Sequence, residues 1–204
     1  MIGEEYWNQH ARNYDRSMRI LGKPMPRMLE LIREAAQGVE RLLEVGAGTG
    51  LVTRVVAGTA RAVVATDYAP EMVRLVEQRV RDEALVNVSV ERADIYSLRF
   101  EPASFDAVVA ANVLHLVPDL PSALAALRLM LKPGGCLIVP TFCHDETMLS
   151  RAVSRLLALT QFPGQRRFSL AALHGVLKNA GLKPTRRELI PGLLPIGYLQ
   201  GEFR

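Results

Sequence analysis

Short apolar runs alternate along the chain with stretches whose apolar residues recur every three or four positions. Leu42-Leu43-Glu44-Val45 is one such run, and it ends abruptly in Gly46-Ala47-Gly48-Thr49-Gly50. Leu51, Val52, Val55 and Val56 follow at helical spacing. Ala62-Val63-Val64-Ala65 predicts a second strand. Pro70 then opens a helix with Met72, Val73, Val76 and Val80 on one side and Glu77 and Arg81 as an i,i+4 pair. Val86 to Val90 alternates with period two and predicts a third strand. Residues 105–113 are nearly all apolar and predict a fourth, covered on both faces. A helix over 121–131 is closed by Lys132-Pro133-Gly134-Gly135, and 136–142 predict the fifth strand.

The flanks depart from that cadence. Residues 4–18 and 26–37 predict two helices separated by the Gly22-Lys23-Pro24-Met25-Pro26 break, with Pro26 tolerated in a first turn. Residues 146–160 predict an amphipathic helix. Ser169 suits the N-cap of a helix over 170–180, and Gly181 sits where a C-cap glycine belongs. From Lys183 onward, two short strands are expected around Pro191-Gly192 and Pro195, antiparallel at the far edge of the sheet. Strands alternating with helices imply an α/β fold, a Rossmann-like doubly wound sheet with helices on both faces. One domain over 1–204 is expected. It would comprise a helical N-terminal cover (1–38), a ligand-binding core (39–143), a helical cover and packing helix (144–182) and C-terminal strands (183–204).

Composition narrows the class. With 204 residues, 49% hydrophobic and 23% charged, the chain suits one folded core and excludes a disordered one. No run approaches 18 apolar residues, and the start has no charged-then-apolar leader, so the expected setting is the cytosol. Cys136 and Cys143 are too few for a disulfide scaffold or a four-cysteine metal site. The net charge of +4 is unevenly spread. Between Thr147 and Arg187 there are eight basic residues and no Asp or Glu, which leaves the remainder acidic. A basic segment of this kind suits an anionic small molecule, a lipid surface or simple solvation.

The glycine loop carries the strongest chemistry. Glycines after a buried strand permit a tight turn and close approach of a ligand to the backbone. The spacing is G-x-G-x-G, with Leu51 where a dinucleotide fingerprint has its third glycine, and no Gly-Lys-Ser/Thr follows. Asp67 ends the second strand about 20 residues beyond the loop, where a carboxylate can accept from both ribose hydroxyls. Glu44 would repel a pyrophosphate but suits a cationic amine or sulfonium. Asp94, just past the third strand, adds a third acid on the strand-end rim. Three acids around a glycine loop favour a cationic nucleoside over a nicotinamide dinucleotide.

These residues resemble the class I S-adenosylmethionine-dependent methyltransferases, in particular their small-molecule and quinone-type members. Residues 42–50 look like the family's first motif, and Thr66-Asp67-Tyr68-Ala69-Pro70-Glu71-Met72 like its ribose-binding segment. Ala93-Asp94-Ile95 resembles the adenine-contacting stretch. Phe105-Asp106 through Asn112-Val113-Leu114-His115 resembles the motif beneath the methionyl part of the cofactor, and Leu131 to Gly135 the turn before the fifth strand. Tyr6-Trp7 through Tyr14-Asp15 is similar to the helix that folds over the cofactor. The resemblance implies a seven-stranded sheet, mostly parallel with an antiparallel last strand. It also implies S-adenosylmethionine as methyl donor, S-adenosylhomocysteine as product, and cofactor contacts from Tyr14, Glu44, Gly46, Ala47, Gly48, Gly50, Asp67, Tyr68, Met72, Ala93, Asp94, Ile95, Asn112 and Val113.

Its chemistry needs positioning and a dry site, with a base only for a protonated acceptor. His115 and Tyr14 are the catalytic candidates, and His115, Phe142, Arg151 and Arg155 the substrate-side ones. Cys143-His144-Asp145-Glu146 contains metal-ligand residue types, but four adjacent side chains converge poorly, so no metal is assigned. Met148, Leu149, Ala152, Val153, Leu156 and Leu157 form a helical stripe, with Arg151 and Arg155 away from it. That stripe is expected to pack over the sheet end as part of the substrate cover, or else to meet lipid. The expected function is methyl transfer to a small-molecule acceptor, including anionic or lipid ones. The alternatives are a phospholipid headgroup N-methyltransferase working peripherally at the membrane and a non-catalytic cofactor-binding protein. Nucleic acid is disfavoured, because Asn112-Val113-Leu114-His115 is not an Asn/Asp-Pro-Pro-aromatic run.

Overall fold

The computed structural model describes residues 23–157, 164 and 166–203. The helix expected over 4–18, Tyr14 within it, and residues 158–160 lie outside these. In chain order the elements are α1 (Met25–Ala35), β1 (Arg41–Val45), α2 (Leu51–Ala57), β2 (Ala62–Asp67), α3 (Pro70–Asp82), β3 (Val88–Arg92) and β4 (Phe105–Val109). They continue with α4 (Leu120–Met130), β5 (Leu131–Ile138), β6 (Thr141–Phe142), α5 (Met148–Leu157), α6 (Leu170–Asn179), β7 (Leu182–Ile190) and β8 (Ile196–Phe203).

The sheet runs β3-β2-β1-β4-β5-β8-β6, with β7 also paired to β8. The first five strands are mutually parallel, whereas β8 is antiparallel to β5, β6 and β7. Alternation along the strands feeds two cores. Leu42, Ile138 and Tyr198 face α1 and α2 across one side, while Leu43, Leu137 and Leu199 face α4 and α6 across the other. Burial on both sides explains why the central strands are apolar at successive positions. The chain order reverses between β1 and β4, which is where a sheet of this kind opens a crevice at the carboxyl ends of its strands.

Several sequence expectations need correction. The third strand is displaced from 86–90 to Val88–Arg92, leaving Val86 98% exposed. Asn87 fixes that register by donating to the Ala57 and Ala60 carbonyls (2.9 and 3.0 Å), so pairing starts at Val63↔Val88. The fourth strand ends at Val109 rather than Val113. Asn112 has a φ of 56° and turns the chain while its amide donates to the Pro140 carbonyl. Lys132 to Gly135 interrupts no strand; it forms an irregularity inside β5 between the pairs Phe105↔Leu131 and Ala107↔Cys136. The expected fifth strand is split, because residues 141–142 pair with β8 as a separate strand, giving eight strands instead of seven. The C-terminal strands are eight and nine residues long rather than short. Ser169 does cap α6, accepting from the Ala172 amide at 3.1 Å.

The largest departure is α5. Its apolar stripe is divided: Val153 packs against the core, whereas Met148, Leu149 and Leu156 are exposed and Ser150 and Ser154 are buried. Thr147 and Ser150 exchange side-chain-to-amide bonds of 2.9 and 3.0 Å. This reciprocal capping satisfies the serine hydroxyl locally, so its burial carries little desolvation penalty.

Candidate functional site

The crevice begins where β1 meets α2. Gly46, Gly48 and Gly50 have φ of 74°, 59° and 80°, the left-handed region that side-chain-bearing residues avoid. Each glycine answers a different demand. A Cβ at Gly46 would lie 2.5 Å from a Val113 methyl, and one at Gly50 would lie 3.0 Å from Arg79 Cδ. A Cβ at Gly48 would meet nothing within 4 Å, so there the backbone stays open to an incoming ligand. The Gly46 and Ala47 amides both donate to the Thr66 carbonyl (2.8 and 2.9 Å), and Arg79 Nε donates to the Thr49 carbonyl at 2.8 Å.

Two acids stand behind this loop. Asp67 ends β2 and is buried; its carboxylate accepts from the Gly48 amide at 2.9 Å and the Ala69 amide at 3.0 Å. Burial pushes its pKa up, and the amides of Ala69, Gly48 and Tyr68 pull it back. Glu44 is fully buried one residue before the end of β1 and accepts from Thr53 Oγ1 at 2.6 Å. Burial, with a smaller push from the charge on Asp67, raises its pKa to about 8 despite the Thr53 bond. Two buried carboxyls with upward-shifted pKa values form a site that a cation relieves. The Ala93 amide donates to the Asp67 carbonyl at 3.0 Å and ties the end of β3 to this rim. Asp94 accepts from the Tyr96 amide at 3.1 Å, with Ile95 buried behind it. Met72 is buried under Ala69, and the Tyr68 carbonyl accepts from Arg92 Nε at 2.9 Å.

On the other bank of the crevice, Asn112 is a stitch: its side-chain oxygen accepts from the Phe142 amide at 3.1 Å. Val113 reaches back onto Gly46, so the turn that follows β4 forms the floor of the loop. His115 is buried, with its ring 6.3 Å from Phe142 and 5.6 Å from His144. Burial, and secondarily His144, pushes the His115 pKa down to about 3; burial and then Arg167 lower that of His144. Residues 166–168 strap this group down. The Arg166 amide donates to the His115 carbonyl at 3.1 Å, and its guanidinium donates to the carbonyls of Val117 and Pro118. The Asp145 amide donates to the Phe168 carbonyl at 3.0 Å.

The structure thus gathers Glu44, the glycine loop, Asp67, Asn112 and Val113, and it places His115 with Phe142. It does not bring Arg151 and Arg155 to the histidines. Both lie exposed on α5, and Arg151 is held by Asp145 at 2.6 Å. His144, Arg166 and Arg167 were missed by sequence reasoning. The only signal for His144 was its place in the run 143–146, whose members go to separate partners. Cys143 enters the core, His144 meets His115, Asp145 takes Arg151, and Glu146 accepts from the Leu170 amide at 2.7 Å. Among the described residues no three His, Cys, Asp or Glu side chains are grouped to hold a metal ion.

Comparison with known proteins fits this geometry. Residues 43–139 match the family described as a methyltransferase domain. The chain is 35% identical over 114 residues to a ubiquinone biosynthesis O-methyltransferase of Xanthomonas campestris, covering 55% of this chain and 47% of that protein. It is 34% identical over 111 residues to a demethylmenaquinone methyltransferase of Tropheryma whipplei, covering 54% and 45%. The chain therefore spans about half the length of these relatives. A solved structure from Thermotoga maritima, described as an S-adenosylmethionine-dependent methyltransferase and possible histamine N-methyltransferase, superposes with a TM-score of 0.77. Its sequence identity is 18%, with 97% of this chain and 98% of that one covered, so this likeness speaks for the fold.

Proposed function

We propose that the chain is a class I S-adenosylmethionine-dependent methyltransferase, as the methyltransferase-domain match over residues 43–139 and the quinone-type relatives support, and that it transfers a methyl group to a hydroxyl or carbon of a small quinone-type acceptor. The observation that carries this reading is the buried Glu44 and Asp67 behind a loop whose Gly48 is open to a ligand. Asp67 would take the ribose hydroxyls, Glu44 the cationic methionyl end directly or through water, and Asp94 with Ile95 the adenine. Tyr68, Met72, Ala93, Asn112 and Val113 would complete the lining. Bound there, S-adenosylmethionine supplies a methyl group already made electrophilic by the sulfonium.

The rest falls to the chain. The loop and β4 fix the line of approach, and fixed alignment of reacting groups lowers a barrier by several kcal/mol. Phe142, His115 and His144 form an apolar, water-excluding wall for a planar acceptor. Burial pushes the pKa of both imidazoles down and so favours their neutral form. A hydroxyl acceptor can hand its proton to His144, which burial, and secondarily Arg167, keeps in the neutral, accepting form.

Calorimetric titration with S-adenosylhomocysteine and with NADH tests the donor. Saturable binding of the first alone supports the reading, and tight binding of NADH alone overturns it. Transfer of labelled methyl from S-adenosylmethionine to a panel of hydroquinones, catechols and amines tests the acceptor. Binding without transfer to any of them would favour a non-catalytic cofactor-binding protein.

A further inference from the structure

We propose that the outward face of α5 docks this protein on an anionic membrane surface. Met148, Leu149 and Leu156 are 86%, 54% and 67% exposed, and Ala152 is exposed between them. At helical spacing these four share one arc, and Arg151 and Arg155 flank it on one side. Ser150 and Ser154 take the buried side. A helix on a globular surface ordinarily turns its apolar stripe inward; here Val153 packs against the core, but core packing does not account for Met148, Leu149 and Leu156. Exposed apolar side chains beside arginines suit the headgroup boundary of a bilayer. There the apolar tips enter the acyl region and the guanidinium groups stay with the phosphates. Leu193 is 44% exposed at the same end of the sheet, in the loop that the Cys143 amide ties down through the Pro195 carbonyl (2.7 Å).

Charge selects the occupant. From Thr147 to Arg187 the chain has eight basic residues and no acid. Arg155 and Arg167 are exposed with no ion pair among the described residues. Of the nearest acids, Asp145 is held by Arg151 and Glu146 is turned onto the Leu170 amide. A second copy meeting this face across a two-fold axis would set arginine against arginine, which is repulsive, whereas anionic headgroups are attracted. No helix among the described residues is long and apolar enough to cross a membrane, so the contact is peripheral. Docking does not depend on methyl transfer, and it would place the acceptor-side strap near lipid.

Flotation of the full chain tests this with vesicles of phosphatidylcholine alone and of phosphatidylcholine mixed with phosphatidylglycerol. The protein should float with the anionic vesicles only and be released by high salt. Met148→Glu with Leu156→Glu should weaken vesicle binding at least about tenfold, and Arg155→Glu about fivefold. S-adenosylhomocysteine affinity and the thermal midpoint should stay unchanged in both, which separates this proposal from the donor reading. No flotation, or equal flotation of wild type and variants, overturns it. So does a concentration-dependent dimer that the double variant abolishes, which would assign the face to a second copy. An environment-sensitive dye on Leu156→Cys that reports apolar surroundings without vesicles, at any protein concentration, also overturns it. That result would mean the face is covered by the protein's own chain.

Discussion

The two banks of the crevice are built by different physics. On the donor bank, around β1 and β2, backbone amides converge on carbonyl and carboxylate oxygens, left-handed glycines remove Cβ atoms, and two acids are buried. On the acceptor bank, around His115 and α5, neutral imidazoles are buried, the loops are clipped by one arginine, and apolar residues face out. The donor bank is cross-tied between neighbouring strand ends, by the Gly46 and Ala47 amides on the Thr66 carbonyl and the Gly48 amide on the Asp67 carboxylate. The acceptor bank is assembled from three separate segments, 112–118, 142–146 and 166–168, joined by the Arg166 guanidinium and the Asn112 side chain as well as by main-chain bonds. A cross-tied bank suits one invariable donor, and a bank assembled from separate segments suits a change of acceptor.

The sharpest test of this contrast is Gly46→Ala. It combines a left-handed backbone with a contact of 2.5 Å to Val113, and should cost roughly 2–5 kcal/mol of stability. Adding Val113→Ala should recover part of the loss in a denaturant titration. Gly48→Ala carries only the backbone strain, about 1–2 kcal/mol, and should fail in ligand binding more than in folding. Equal behaviour of the two variants would break the distinction between a packed and an open glycine.

His115 gives the next largest effect, now in pH. Its pKa falls from the ordinary 6.5 to about 3 on folding, so the unfolded chain takes up the proton first. Its contribution is complete above about 6.5 and is lost as pH falls toward 3, by up to about 1.4 kcal/mol per pH unit. His115→Asn should flatten that part of the urea-denaturation profile relative to wild type.

Glu44 should behave in the opposite sense. Its folded pKa of about 8 lies above the ordinary 4.5. Its contribution to stability is complete below about 4.5 and is lost as pH rises toward 8. A cationic ligand favours the ionised carboxylate, so affinity for S-adenosylmethionine should rise as pH rises toward 8, by at most about tenfold per unit. Glu44→Gln should bind more weakly and remove the pH dependence, as calorimetry would show.

Arg166→Gln removes the guanidinium donors to Val117 and Pro118. At a partly exposed site this should cost about 1 kcal/mol, raising the acceptor KM several-fold with the S-adenosylhomocysteine Kd unchanged. A change of Kd instead would show that the banks are coupled. The smallest effect is expected at the exposed Glu77–Arg81 pair, 3.9 Å apart. Arg81→Ala should alter stability by less than about 0.5 kcal/mol.

Legibility in the sequence followed the same division. The glycine loop, Glu44 and Asp67 could be read because each sits at a strand end or depends on a residue type that few others replace. The strand–helix cadence yielded the parallel sheet for the same reason. What escaped were features set by distant partners. Asn87 shifted β3 by bonding to Ala57 and Ala60, and the pairing of Thr141 and Phe142 with β8 split the fifth strand. His144 looked like one member of an inert polar run until the fold laid it against His115, 29 positions earlier in the chain.

Taken by itself, the sequence determined an α/β sheet with acids beside a glycine loop at its strand ends, because backbone conformation and carboxylate placement are written in short segments. It also determined that α5 is amphipathic, since periodicity is a local property. Which face of that helix turns inward was decided only by tertiary structure. Periodicity fixes the angle between apolar and polar faces, and packing against the rest of the molecule fixes the rotation. Here the two small serines lie on the inner side, and Met148, Leu149 and Leu156 are left to whatever meets the surface.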